Sequence, residues 1–316
     1  MIKHLYFLSV LALMFLPVLA QQKLPSYYKQ VNSFNDSLKK IVQEVGLDGV
    51  YDVGEDGLAK ISLAVIDLNQ KKPVFGGVNA ADFIYPASVY KMYVAMEILK
   101  QVSNGKYSLF RQYIVPPHNE VDKTREISFD PRPLLRAGDT VTINYLLDLM
   151  ITRSDNTAAN CLIDVATRRS INQTMKENGW QGSEVTRKFL KRKNEDPGYD
   201  TIKSTLTHAM HAADFMFKMY RGQLVNPWVS LQLKALLGRQ LDTAKLSAGL
   251  PANVMFYHKT GWWSYYTNDA GIVDDGSIRY IIAVFTPVKE EDANPKLKIL
   301  SSRIYTLIKN LHVSQQ

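Results

Sequence analysis

The sequence of 316 residues has a single cysteine, Cys161, which excludes a fold held together by disulfides within the chain. Its apolar neighbours Ala159 and Leu162 indicate a buried, inert thiol rather than a catalytic nucleophile. No cysteine closely follows the apolar segment near the N-terminus. We therefore expect no lipid anchor at the N-terminus of the processed chain.

Long apolar runs are also scarce. The longest, residues 5–19, follows Lys3 and ends in Val18-Leu19-Ala20. It is shorter than the roughly 20 residues that a membrane span requires. A basic start, a short apolar core and small residues before the cut are typical of a secretory leader. We expect residues 1–20 to be removed after Ala20, leaving an exported protein, periplasmic or secreted, with no membrane span.

Charge and composition restrict the class of protein further. Lys and Arg total 38 against 30 Asp and Glu, a net charge of +8, while 46% of residues are apolar and 22% are charged. These fractions are ordinary for a globular chain and exclude a wholly disordered one. The basic residues are scattered, the only dense run is Arg187 to Arg192, and no groove-reading motif accompanies them. We therefore expect no nucleic-acid partner.

Periodicity predicts strands and one helix at each end of the chain, and a helical middle over roughly 87–240. Residues 26–45 have helical spacing before Gly46, and the last helix is expected to begin at the cap Asn294-Pro295. Five strands are predicted: 61–67, one beginning at 74–75, one from Met255, 267–273 and 278–286.

The fold class predicted from this order is α/β. We expect an antiparallel five-stranded sheet flanked by N- and C-terminal helices, with an inserted all-α subdomain. The chain from 21 to 316 would form one domain, with an α/β part of about 21–87 and 245–316 and an all-α part of about 88–244. A cleft between the two parts is the expected place for a site.

Ser88-Val89-Tyr90-Lys91 opens an apolar helical stretch. Side chains three residues apart lie on one face of a helix, so Lys91 can reach the Ser88 hydroxyl. Burial disfavours the charged form of a lysine and would let Lys91 act as a base. Taken alone, the pattern is equally well explained by a helix-capping serine and an unrelated surface lysine.

Two further polar clusters lie downstream. Ser154-Asp155-Asn156 falls between two predicted helices, where a hydroxyl and an amide suit a proton shuttle and a contact to a substrate amide. Lys259-Thr260-Gly261 falls on a predicted strand, where a cation and a hydroxyl would bind a carboxylate. There Gly261 would let the substrate approach the backbone. A polar capping turn and a surface strand are the simpler explanations of each cluster taken alone.

Together, in this order, Ser-x-x-Lys, Ser-Asp-Asn and Lys-Thr-Gly resemble the set found in class A β-lactamases and penicillin-binding proteins. The flanking Gly138-Asp139-Thr140-Val141-Thr142, Thr157-Ala158-Ala159-Asn160 and Ala248-Gly249-Leu250-Pro251 resemble class A enzymes as well. The resemblance covers about residues 55–310.

The resemblance implies a role for each motif residue. Ser88 would be the acylated nucleophile, Lys91 would take or relay its proton, and Ser154 would pass a proton to the leaving nitrogen. Asn156 would hold the amide of the substrate side chain.

On the strand, Lys259 and Thr260 would hold the substrate carboxylate. The backbone N–H groups of Ser88 and Trp262 would form the oxyanion hole. The family needs no metal or other cofactor, and a monomer is expected.

One element of the class A pattern is missing. Those enzymes hydrolyse the acyl-enzyme with a water held by a loop glutamate in an E-x-x-L-N pattern. Val185-Thr186-Arg187 resembles the segment before that glutamate, but counting onward leads to Lys191 or Arg192. The nearest acids are Glu195 and Asp196, with no Leu-Asn pair after them.

Three functions stay open. In the first, Glu195 or Asp196 enters the site and the protein is a β-lactamase. In the second, no acid enters, and the protein is a D-alanyl-D-alanine carboxypeptidase-like enzyme that acts on peptidoglycan stem peptides and is inhibited by β-lactams. In the third, it is another exported serine hydrolase. A β-lactam sensor is disfavoured, because such sensors usually belong to membrane-spanning proteins.

Other chemistry-bearing residues fit structural roles better. His208 and His211 are one helical turn apart, but no third ligand accompanies them, so no metal site is predicted. His258 is expected to point away from the cleft by strand alternation. The aromatic run Trp262, Trp263, Tyr265 and Tyr266 is explained either by packing or as a wall for a bulky substrate.

Overall fold

A computed structural model describes residues 24–124, 127–189 and 204–313. The predicted leader, residues 1–20, lies outside these ranges. The described strands are β1 (Lys29–Gln30), β2 (Tyr51–Asp52), β3 (Leu58–Ala59), β4 (Ser62–Asp67), β5 (Val74–Val78), β6 (Gln112–Ile114), β7 (Thr140–Thr142), β8 (Met255–Trp263), β9 (Tyr266–Asp274) and β10 (Arg279–Thr286). The described helices are α1 (Asn32–Glu44), α2 (Lys91–Ser103), α3 (Ile143–Thr152), α4 (Asn156–Ala166), α5 (Arg168–Glu177), α6 (Ala209–Tyr220), α7 (Pro227–Leu237) and α8 (Glu290–Val313).

The main sheet has the order β1-β5-β4-β10-β9-β8. Its last five strands pair antiparallel and are the five predicted from the sequence. The sixth, β1, is only two residues long and pairs parallel to β5. Two residues are too few for an alternating pattern, which is why the sequence did not indicate this strand. The predicted fold class, with its antiparallel sheet, terminal helices and helical insertion, is confirmed.

Each face of the sheet has its own apolar core. On one face, Phe34 and Leu38 of α1 and Leu300 and Ile304 of α8 pack against residues of the central strands such as Val284. On the other face, α6 packs against β4, β9 and β10, and α7 packs against β8, while buried side chains of α2 to α5 belong to the same core. The sheet is thus buried on both sides, and the edge strand β8 faces the helical part.

The first helix is shorter than predicted. Residues 26–31 carry helical spacing but lie outside α1, so the prediction of a helix from residue 26 is wrong. Lys29 pairs with Val74 in the sheet, and the hydroxyls of Tyr27 and Tyr28 donate to the buried carboxylate of Asp214. These tertiary contacts override the local helical pattern.

The last helix begins earlier than predicted. It starts at Glu290, so Pro295 lies inside its second turn rather than at its first position. The acidic residues Glu290, Glu291 and Asp292 stabilise the positive end of the helix. Within the described ranges, no helix combines the length and the apolar content that a bilayer crossing requires.

Candidate active site

A cleft of about 300 Å³ lies where β8 meets the helical part of the molecule. The first two sequence motifs line it, and the third adjoins it through the contact of Lys259 with Ser154. The residues that line the cleft directly include Ser88, Ser154, Asn156 and Trp262. Lys91 and Lys259 are buried behind this lining and contact the Ser154 hydroxyl. The lining residues are Ser88, Val121, Asp122, Lys123, Thr124, Leu134, Arg153, Ser154, Asp155, Asn156, Phe189, Trp262 and Trp263.

Ser88 lies in a single 3₁₀ turn, Ala87–Tyr90, that leads directly into α2. The residue before it, Ala87, has φ of 45°, a left-handed conformation that costs an alanine energy. Such strain is retained only where the surrounding structure enforces it. The turn leaves Ser88 half-buried at the cleft, while the next turn of the chain takes Lys91 into the interior.

Lys91 is fully buried, which excludes an unrelated surface lysine. Its ammonium donates to the backbone oxygen of Ser154 at 2.5 Å, to the Ser154 hydroxyl at 3.2 Å and to the side-chain oxygen of Asn156 at 2.7 Å. A buried ammonium requires such acceptors, because without hydrogen bonds nothing offsets the cost of removing its charge from water. The first two motifs are therefore held together by this one side chain.

Ser154 connects the first motif to the third. Its φ of 63° turns the chain sharply between α3 and α4. Its hydroxyl oxygen accepts from Lys91 and, at 3.0 Å, from Lys259. With both lone pairs occupied by cationic donors, the hydroxyl hydrogen is left to donate elsewhere. The two positive charges also make this hydrogen easier to give up.

The third motif lies on β8 beside the Ser88 turn. Lys259 is fully buried and also donates to the Thr260 backbone oxygen at 2.8 Å. A Cβ placed on Gly261 would lie 2.7 Å from the Ser88 nitrogen and 2.8 Å from the Pro86 oxygen. The Ser88 turn therefore packs directly on this glycine, and the expectation that Gly261 lets substrate approach the backbone stays a prediction.

The Thr260 hydroxyl is directed behind the strand, toward Asp242. Burial acts to raise the pKa of Asp242, but the Lys245 ammonium and the hydrogen bonds it receives bring the pKa below its usual value. Lys245 is itself buried and donates to Asp242 at 2.6 Å and to Glu290 at 2.7 Å. This charged group supports β8 from the face opposite the cleft.

A buried arginine supports the loop that carries Ser154. The Arg153 guanidinium donates at 2.8 Å to the Asp155 carboxylate and at the same distance to the backbone oxygens of Arg132 and Pro133. Asp155 also caps α4 by accepting from the Ala158 nitrogen at 2.7 Å. Burial, together with the negative charge of the nearby Asp122 carboxylate, raises the pKa of Asp155. Asp155 is thus a structural member of its motif.

Asp122 belongs to the site although no sequence motif indicated it. Its carboxylate accepts from the side-chain nitrogen and the backbone nitrogen of Asn156, both at 2.8 Å, and from the Thr157 nitrogen at 2.9 Å. The contact joins residues 34 positions apart, which sequence spacing alone does not reveal. Among the described residues, Asp122 and Asp155 are the carboxylates that line the cleft.

One wall of the cleft is aromatic. Phe189 meets Trp263 edge to face, with ring centroids 5.3 Å apart. The Asn160 amide fixes the Phe189 backbone, accepting from its nitrogen at 2.8 Å and donating to its oxygen at 3.2 Å. The candidate acids Glu195 and Asp196 follow this wall along the chain and lie outside the described residues.

Residues set aside in the sequence are away from the cleft. His211 contacts the Ser183 hydroxyl at 2.7 Å, and His208 caps α6. His258 pairs with Asp269 at 2.9 Å, on the opposite side of β8 from Lys259. Cys161 is buried, and burial raises the pKa of its thiol to about 12. In the described part of the chain, no group of three or more potential ligands is placed to bind a metal.

Comparison with known proteins agrees with this geometry. The profile of the β-lactamase enzyme family matches residues 38–308. The extended-spectrum β-lactamase PER-1 of Pseudomonas aeruginosa is 24% identical over 257 residues, covering 77% of this chain and 80% of that protein. The β-lactamase AST-1 of Nocardia asteroides is 25% identical over 250 residues, covering 77% and 76%.

Solved structures share the fold. The structure of PBP-A covers 91% of this chain and 100% of its own, with a TM-score of 0.73 at 21% identity. A β-lactamase from Sphaerobacter thermophilus covers 86% of this chain and 97% of its own, with a TM-score of 0.72 at 17% identity. The family resemblance drawn from the three motifs is confirmed. The chain belongs to the β-lactamase enzyme family and is a β-lactamase-like serine hydrolase.

Proposed function

We propose that the protein is an exported β-lactamase, which is acylated at Ser88 by β-lactams and hydrolyses the acyl-enzyme. The observation that carries this proposal is the convergence of Lys91 and Lys259 on the Ser154 hydroxyl beside Ser88. That arrangement supplies a buried base, a proton donor and a cation for a carboxylate in one cleft. These are the groups that opening a β-lactam ring requires.

In the proposed acylation, Lys91 first releases one ammonium proton to solvent, and its neutral amine then takes the Ser88 proton as the Ser88 oxygen bonds to the lactam carbonyl carbon. The C–N bond of the lactam then breaks. Ser154 gives its hydroxyl proton to the departing nitrogen and recovers one from Lys91, so the protons balance. The close approach of Gly261 to Ser88 supports an oxyanion hole formed by the N–H groups of Ser88 and Trp262.

Substrate binding completes the proposal. Lys259 and Thr260 would hold the β-lactam carboxylate, for which the Thr260 hydroxyl would turn from Asp242 to the ligand. Asn156 would contact the amide of the substrate side chain. Deacylation would use Glu195 or Asp196 as the base that activates water. A general base of this kind contributes roughly 10²–10⁴-fold to a rate.

A second function is favoured by one observation. The two described carboxylates that line the cleft are both engaged, Asp122 by three N–H donors and Asp155 by Arg153 and the Ala158 nitrogen. Neither is placed to activate water. Unless Glu195 or Asp196 supplies a base, the acyl-enzyme persists. The protein would then act as a D-alanyl-D-alanine carboxypeptidase-like enzyme on peptidoglycan stem peptides.

Processing and assembly belong to the same proposal. We expect cleavage after Ala20, release to the periplasm or the medium, and a monomer formed by one domain of residues 21–316.

The decisive experiment follows a chromogenic β-lactam with residues 21–316 by absorbance and by intact mass over the same hours. Many turnovers without a lasting adduct support the β-lactamase, and Glu195→Gln and Asp196→Asn then identify the base. One equivalent consumed with a lasting adduct on Ser88 supports the peptidase, to be followed by digestion of muropeptides. Ser88→Ala is the control. No reaction in folded protein would contradict both functions.

A further inference from the structure

We infer that Asp122 is a positioning residue that fixes the Asn156 amide for recognition of the acylamino group of a β-lactam. The inference rests on the proposed acylation at Ser88. Asp122 comes from the loop between β6 and β7, and Asn156 is the first residue of α4. Both line the cleft.

The contact between Asp122 and Asn156 is part of a larger hydrogen-bond network. One Asp122 oxygen accepts from the Asn156 side chain, and the other accepts from the backbone nitrogens of Asn156 and Thr157. In return, the Thr157 hydroxyl accepts from the backbone nitrogens of Val121 at 3.1 Å and Asp122 at 3.3 Å. Five hydrogen bonds therefore fix this loop to the start of α4.

This hydrogen-bond network determines the orientation of the Asn156 side-chain amide. In the resting site the Lys91 ammonium can only donate, so it requires the amide oxygen, which it contacts at 2.7 Å. The Asp122 carboxylate can only accept, so it requires the amide nitrogen. A flipped amide would place its NH₂ group against an ammonium and its oxygen against a carboxylate. The two charged partners therefore allow one orientation.

This orientation matters for substrate. The amide NH₂ group carries two hydrogens, and Asp122 takes one of them. The second is then available on the cleft side to donate to a carbonyl oxygen, such as that of the acylamino group of a penicillin. Asp122 thus acts through Asn156 and touches neither Ser88 nor the reacting carbonyl. Because three N–H donors occupy its oxygens, Asp122 is also unsuited to activate water.

The test compares acylation of Ser88 by two β-lactams, benzylpenicillin and 6-aminopenicillanic acid, which lacks the acyl group. Asp122→Asn removes the charge that selects the amide orientation and is close to the same shape. We expect the acylation rate constant for benzylpenicillin to fall at least ~10-fold, the size of one lost hydrogen bond to a charged group. For 6-aminopenicillanic acid we expect a change below about twofold. The split between the two substrates is the readout that a merely structural role would not give.

Two further variants make the test specific. Glu120→Gln removes the same charge from the same loop, where Glu120 binds Arg136 away from the cleft, and should leave both rates unchanged. In an Asn156→Ala background, Asp122→Asn should cause no further loss, since its effect passes through that amide. Should Asp122→Asn fail to fold, Asp122→Glu keeps the charge, moves the carboxylate, and should give the same split.

The outcomes separate the inference from the proposed function. Equal losses for both substrates, or losses that add in the Asn156→Ala background, would overturn the positioning role while leaving acylation at Ser88 intact. If neither β-lactam acylates the unmodified protein, the proposed function fails and the inference fails with it.

Discussion

Gly261 lies so close to Ser88 that a single added methyl group would sit 2.7 Å from the Ser88 backbone nitrogen. The atoms it would meet are all backbone, since the Pro86 oxygen and the Val89 nitrogen lie 2.8 and 2.9 Å away. Backbone cannot rotate out of the way as a side chain can. The glycine of the third motif is therefore what allows the strand and the nucleophile turn to pack against each other.

Gly261→Ala should displace the Ser88 turn and lower acylation by a β-lactam by about 10²-fold, the usual cost of misplacing a reacting group by about 1 Å. The measurement is the acylation rate by quenched intact mass. Gly49→Ala is a matched control, because the added methyl there meets only the side chain of Tyr51 on the surface. Acylation at the unmodified rate in folded Gly261→Ala would show that the turn does not need this approach.

Ser154→Ala tests the shared acceptor. It removes the hydroxyl to which both Lys91 and Lys259 donate, and with it the proposed proton donor to the lactam nitrogen. We expect acylation to fall by about 10²–10⁴-fold, as for loss of a general acid. In parallel measurements of thermal unfolding, the loss in free energy of unfolding should be much smaller than the rise in the free-energy barrier to acylation. A variant that acylates normally would exclude Ser154 from the proton path.

Residues of the cleft could be predicted from the sequence where those that belong to one motif are close along the chain. Ser88 and Lys91 are three apart, and Ser154 and Asn156 are two apart, so each pair required only the right local element. Asp122 could not be found this way, because its contact with Asn156 exists only after the loop and helix have packed. Similarly, Lys29 and its neighbours have helical spacing, and only pairing with β5 makes them a strand.

Stability should depend on pH through two buried histidines. Burial lowers the pKa of His208 to about 4, and burial together with the charge of His208 lowers that of His211 to about 2. The unfolded chain binds protons near pH 6.5, so between that pH and the folded pKa values it holds more protons than the native state. Stability is therefore full above pH 6.5 and falls on acidification, by on the order of 1 kcal/mol per histidine per pH unit.

Thermal unfolding from pH 7 to pH 4 measures this slope. His208→Asn keeps an acceptor for the first turn of α6 and should reduce the slope. His118→Asn removes an exposed histidine and should leave it as in the unmodified protein. An identical slope in all three proteins would mean that carboxylates, and not the buried histidines, determine the acid sensitivity.

The aromatic wall should select the substrate side chain. Trp263 is 44% exposed, lines the cleft and packs against Phe189, so an aryl group entering beside it would stack on an existing pair. Trp263→Ala should raise KM, or the acylation midpoint, for benzylpenicillin by roughly tenfold, as expected for loss of one aromatic contact with its buried area. For a penicillin with a short aliphatic side chain, the same constant should change by less than about threefold, since that side chain buries less area there.

Tyr265→Ala is the control, because Tyr265 is similarly exposed but faces Lys289 outside the cleft. An equal change for both penicillins would mean that Trp263 supports the shape of β8 and does not select an aryl side chain.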